Sequence, residues 1–146
     1  VERFILDEVL APVQAGPGPT PDLLVATGMA FTEAVGTHPH LARVWLDWST
    51  AFRGDMWPRY IEFQEQVVRL LKKTVLRGKR DGTLARTLDA DDATRLIVGT
   101  AHMLAQMKFM GRDPRQVERF MRTLIDGFRA VPAPRASPAG RGRRRR

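Results

Sequence analysis

The chain has 146 residues and no cysteine, with 24 Lys and Arg against 16 Asp and Glu, a formal charge of +8. That length admits one domain with a real core plus appendages. The lack of cysteine excludes disulfides, thiolate zinc sites and thiol catalysis, and is compatible with a reducing cytoplasm.

No uncharged run approaches the roughly 18–20 residues that span a bilayer, and no secretory signal is visible. The charge is unevenly spread. Residues 132–146 hold six arginines (Arg135, Arg141 and Arg143 to Arg146) and no acid. Without them 18 basic residues face 16 acidic ones, a net of +2. The basicity therefore belongs to the tail. The chain opens on Val1 inside an apolar pattern, as expected for the remainder of a longer protein.

In chain order, Leu6, Val9, Leu10 and Val13 form a helical stripe over residues 1–13. Pro12 and the run Gly16-Pro17-Gly18-Pro19 end it. Thr20-Pro21 reads as an N-cap with proline in the first turn of a second helix to about Val35. Leu24, Gly28, Phe31 and Val35 share a face there, and Leu23 to Thr32 carries no charge. A helix with so little polar face belongs in the centre.

Thr37-His38-Pro39-His40 starts a third helix, to about Phe52, and Arg53-Gly54-Asp55 is a turn. A long fourth helix follows from about Met56 to Lys79, with Asp55 as its expected cap, and Gly78 and Asp81-Gly82 stop it. Tyr60, Val67, Leu71 and Val75 supply its dry side. Asp89 caps a fifth helix over 89–111, apolar nearly all round from Leu96 to Met107. Asp113-Pro114-Arg115-Gln116 is a capping-box-like start for a sixth helix over 114–131. After Val131 the tail PAPRASPAGRGRRRR has nothing to bury and reads as disordered. No segment alternates as a strand does. The fold class is an all-α six-helix bundle over 1–131.

The two nearly uncharged helices are rich in small or mildly polar residues such as Thr27, Gly28, Gly99, Thr100 and Ala105. Small residues facing large aromatics leave a void with a few polar anchors, as a small-molecule pocket requires; close helix packing through Gly and Ala is the alternative. Trp45 and Trp48, three apart, sit on one side of their helix, and a structural wedge is the plainer role for at least one. Tyr60 and Gln64, four apart, line the same cavity or form a half-buried edge. His102, Met103 and Gln106 are the further pocket candidates; for His102 a hydrogen-bonded core or pocket role outranks catalysis.

His38 and His40 give two ligands where zinc wants four, and Asp89, Asp91 and Asp92 open a helix. Ser49 has no elbow around it, and no phosphate-binding glycine motif is present. No enzyme, metal or cofactor is expected.

The stripe Val117, Phe120, Met121, Leu124, Ile125 and Phe128 repeats at three and four. Beside a helix that is apolar all round, it offers more dry face than one monomer covers. A two-fold dimer would bury both, with Leu96, Leu104, Val117, Phe120, Met121, Leu124 and Phe128 at the interface. The tail arginines, with no aromatic among them, would bind phosphates weakly and without base stacking, or merely keep the terminus in solution.

Over about Pro39 to Gly82 the chain resembles the LuxR/HapR-type quorum-sensing regulators of the TetR family. The resemblance rests on VWLDWST (Val44 to Thr50), a turn, MWPRY (Met56 to Tyr60) opening a long helix, and its end near RGKRDG (Arg77 to Gly82). It implies an all-helical homodimer whose last two helices, 89–111 and 114–131, dimerise. It implies a cavity for a small apolar or amphipathic ligand, with Trp45 on the wall and Tyr60, Phe31 and Leu6 around it. It makes residues 1–13 the helix that connects to an upstream helix-turn-helix domain for operator DNA. The arginine tail is not part of that pattern. A cytoplasmic regulator of transcription is the function implied, and a helical homodimeric interaction module without ligand is the alternative.

Overall fold

The structure is a computed structural model and describes residues 1–132. Six helices make up the described part: α1, whose segment Phe4–Leu10 is a π-helix running into Ala11–Gln14; α2, Thr20–Thr37; α3, Pro39–Thr50; α4, Trp57–Asp81; α5, in two segments, Ala90–Gly99 and Ala101–Phe109; and α6, Pro114–Asp126. The all-α bundle expected from the sequence is what the chain forms. A single β-bridge, Leu84 with Arg129, is the extended pairing among the described residues. The arginines of the tail lie outside them.

α2 is the axis of the bundle and packs against each of the other five helices. Leu24, Gly28 and Val35 are buried as their shared face requires. The helix begins one residue earlier than its capping signal suggests. Pro19, in extended conformation, is its N-cap, and Thr20 is the first helical residue and fully buried. Thr20 stands against Gly78 of α4, where an added Cβ would lie 2.7 Å from its methyl group and from Leu84. Gly78 therefore lets α4 approach α2 closely as well as preceding the helix end.

The first helix departs from the α-period. Ala11 N–H bonds the Leu6 carbonyl, an i→i−5 link. Pro12 gives the reason. An α-helix through it would press the ring against the Glu8 carbonyl and leave that carbonyl without its donor. The wider π turn ahead of the ring relieves both, and π turns cluster at functional sites.

α4 starts at Trp57, with Pro58 in its first turn, and Met56 rather than Asp55 at its cap. Gly82, at φ 81°, ends it in the left-handed region glycine favours. α5 breaks at Thr100, whose hydroxyl donates to the Ile97 carbonyl at 2.6 Å and whose N–H is shared between the carbonyls of Leu96 and Ile97. Such back-bonding bends a helix. α6 opens with a complete capping box of Asp113 and Gln116, and stops at Asp126, five residues before the expected end. Past Gly127 the chain turns, and the Phe128 carbonyl accepts from Ala85 N–H at 2.9 Å.

Candidate functional site

A cavity of about 60 Å³ lies inside the bundle, and all six helices line it. α1 contributes Ile5 and Leu10, α2 Thr27, Gly28 and Phe31, and α3 Trp45. α4 contributes Phe63, Gln64, Val67 and Leu71; α5 contributes Ile97, Val98, Thr100, Ala101 and Leu104; and α6 contributes Met121. No charged residue lines it, so a charged occupant would lose its hydration without a partner.

The expected pocket residues divide. Phe31, Trp45 and Gln64 line the cavity. Tyr60 stands one bond behind, buried, with Gln64 Nε2 donating to its hydroxyl at 2.7 Å. Burial raises the Tyr60 hydroxyl above its ordinary pKa. His102 packs on Trp45 from outside, ring centroids 4.4 Å apart, and burial lowers its pKa, which keeps it neutral near pH 7. Phe31 meets Trp45 edge-on at 5.6 Å. Ile5, Phe31 and Trp45 also form one side of a second, smaller void, of about 20 Å³, reaching toward Phe4 and His38. Trp48 is the wedge, half-buried with the Arg59 guanidinium 5.9 Å above its ring.

Three expected pocket positions lie elsewhere. Leu6 is replaced by Ile5 and Leu10, which are five apart. In a π-helix residues five apart share a face, so a choice made on the α-period lands one position off. Met103 and Gln106 point outward, Met103 being 45% exposed. The bend at Thr100 brings Ala101 and Leu104 to the cavity instead. Phe63, Ile97 and Val98 are further wall residues that the sequence pattern leaves unmarked, although Phe63 belongs to the same α4 stripe as Tyr60, Val67 and Leu71.

The expected dimer positions also divide. Leu104, Val117, Met121 and Phe128 are buried within the chain itself. Met121 and Leu104 are turned to the cavity, and Phe128 lies beyond the end of α6, where the helical period no longer applies. Leu96 is 56% exposed, and Phe120 and Leu124 are partly exposed. Leu96, Gly99, Thr100, Met103 and Phe120 line an open groove along α5 and α6, with Asp92 and Arg95 at its α5 end. Thr100 therefore borders the internal cavity on one side and this groove on the other.

One partly buried network ties the cavity to α1. Gln14 Nε2 donates to Thr27 Oγ1 at 2.9 Å, and Thr27 donates to the Leu23 carbonyl at 2.7 Å. The Thr74 hydroxyl of α4 donates to Gln14 Oε1. Thr27 is thus a cavity wall whose hydroxyl is fixed by the last residue of α1.

Among the described residues no group of three or more His, Asp and Glu has metal-binding geometry, and no helix is long and apolar enough to cross a membrane. No protein-family model matches the chain, and no curated protein matches it.

Proposed function

We propose that this chain is the ligand-sensing and dimerisation part of a cytoplasmic TetR-family transcriptional regulator of the LuxR/HapR-like kind. In this reading a small uncharged ligand in the cavity changes the affinity of an upstream helix-turn-helix domain for operator DNA. The observation that carries it is the contribution of α1 to the cavity through Ile5 and Leu10, with Gln14 bonded to Thr27. An occupant that displaces either wall acts directly on the helix nearest the expected DNA reader. The shift it produces is bounded by its differential affinity for the two arrangements.

At about 60 Å³ the cavity is smaller than the roughly 300–1,000 Å³ of drug-sized ligand sites. Ligand entry then requires side chains to move. The same small volume favours the second reading, a helical homodimeric interaction module with no ligand.

Titration with an apolar fluorescent naphthylamine separates the two. The regulator reading expects saturable binding of one molecule per chain, with quenching of tryptophan emission that Trp45→Phe removes. No binding to the wild type would leave the second reading. The DNA-binding claim has its own test. A helix-turn-helix pattern in the coding sequence upstream of Val1 is expected, and an unrelated domain or a start codon there would withdraw it.

A further inference from the structure

We infer that the end of the bundle formed by the close of α4 and the 83–86 loop is a docking site for the phosphate backbone of duplex nucleic acid, read by charge and not by sequence. The inference does not depend on the regulator reading or on the cavity. An open groove there is lined by Leu76, Lys79, Arg80 and Arg86 and by no carboxylate. Among the described residues none of these three cations is in an ion pair. The Lys79 ammonium donates to the Leu88 carbonyl, which fixes its position and leaves its charge uncancelled.

Three acids stand at this end, and none of them lines the groove. Asp81 accepts from Thr83, Asp89 caps α5, and Asp126 pairs with Arg129 at 2.8 Å. Lys79 and Arg80 lie in the last turn of α4, where cations also answer the helix dipole. Arg86 lies beyond the helix and has no such explanation.

The fold also brings the tail's point of departure to this groove. Ala85 N–H bonds the Phe128 carbonyl at 2.9 Å, and Ala130 N–H bonds the Thr83 carbonyl at 3.4 Å. Residues 128–130 are therefore held alongside 83–85, one position from Arg86. The six arginines of residues 133–146 follow in sequence from there. Lys79, Arg80 and Arg86, without a carboxylate in the groove, fit a dense and regular row of phosphates. They offer nothing that reads a base edge.

The test is fluorescence anisotropy of the full chain with a labelled duplex of arbitrary sequence and about 20 base pairs, between about 50 and 200 mM salt. Binding that weakens steeply with salt is expected, with equal affinity for a second, unrelated duplex. R80Q/R86Q should flatten the logarithmic salt dependence by roughly 1.8, at about 0.9 for each phosphate that is no longer neutralised. R112Q/R115Q removes the same charge from two exposed residues near the start of α6, about 20 Å away along that helix. It should leave the slope unchanged. An unchanged slope in R80Q/R86Q, an equal loss in both pairs, or stronger binding to anionic phospholipid vesicles than to duplex would overturn the inference. If R80Q/R86Q melts early, R86Q alone carries the test with a change of roughly 0.9.

Discussion

Met121 is the residue on which the state of the cavity turns. It is 1% exposed and lies against Gly28, where an added Cβ would stand 2.7 Å from its sulfur and its methyl carbon. Its unbranched thioether chain moves more readily than the ring of Phe31 or Trp45. In Gly28→Ala the methionine must swing away, and the free volume beside it is the cavity. That variant should lose naphthylamine binding. Overpacking should cost about 1–3 kcal/mol, partly offset by the roughly 0.5–1 kcal/mol that alanine gains over glycine inside a helix. Met121→Ala acts with the opposite sign on the ligand. It enlarges the cavity, so binding should tighten while stability falls by about 2–5 kcal/mol. Equal binding by both variants would show that Met121 is not the wall that yields. Gly28 was legible in the sequence as a small residue beside a void. Met121 was not, because its helical stripe states that it is buried and leaves open whether its own chain or a second copy covers it.

At the scale of elements, the ends that local chemistry decides were legible and those that packing decides were not. Gly82 ends α4, Asp89 accepts from Asp92 N–H at 2.9 Å to start α5, and Asp113 and Gln116 exchange bonds at the start of α6. Each of these signals acts within three or four residues. The π turn and the break at Thr100 are local as well, answering to the Pro12 ring and to a bond made back along the helix, but they alter the helical period and do not mark an end. The early stop at Asp126 answers to the docking of Phe128 on Ala85. Those three departures shift particular positions: Ile5 lines the cavity in place of the expected Leu6, Ala101 in place of the expected Met103, and Phe128 is buried in its own chain. The capping box is the local signal with the clearest energetic weight. Asp113 Oδ1 accepts from Arg115 N–H at 2.7 Å, and Gln116 Oε1 accepts from Asp113 N–H at 3.2 Å. Asp113→Ala should therefore cost about 0.5–2 kcal/mol in chemical denaturation, with Asp113→Gly costing less. A change below a few tenths would mean that α6 is held by its buried side, Val117, Met121 and Ile125, and that its cap is incidental.

For the whole molecule, the proposed dimer and the cavity meet on the same two helices. The outer sides of α5 and α6 expose Leu96, Met103, Phe109 and Met110, the last 60% exposed, with Phe120 at the edge. Several large apolar side chains exposed on two adjacent helices suit an interaction face, and two copies placing α5 and α6 together would bury them under two-fold symmetry. The inner sides of these helices carry Thr100, Leu104 and Met121 into the cavity. In light scattering the wild type should then run at twice its 16.5 kDa mass. Leu96→Asp should run near the single mass with little change in melting profile, since more than half of Leu96 is exposed in its own chain. Phe120→Asp should do the same with some loss of stability, because Phe120 is half-buried. A dimer that persists in Leu96→Asp would move the interface off this face. If the interface holds and a ligand that moves Met121 changes the dimer dissociation constant, dimerisation changes the ligand's affinity by the same factor. The two constants, measured on one preparation, would show whether the cavity and the outer face work as a single device.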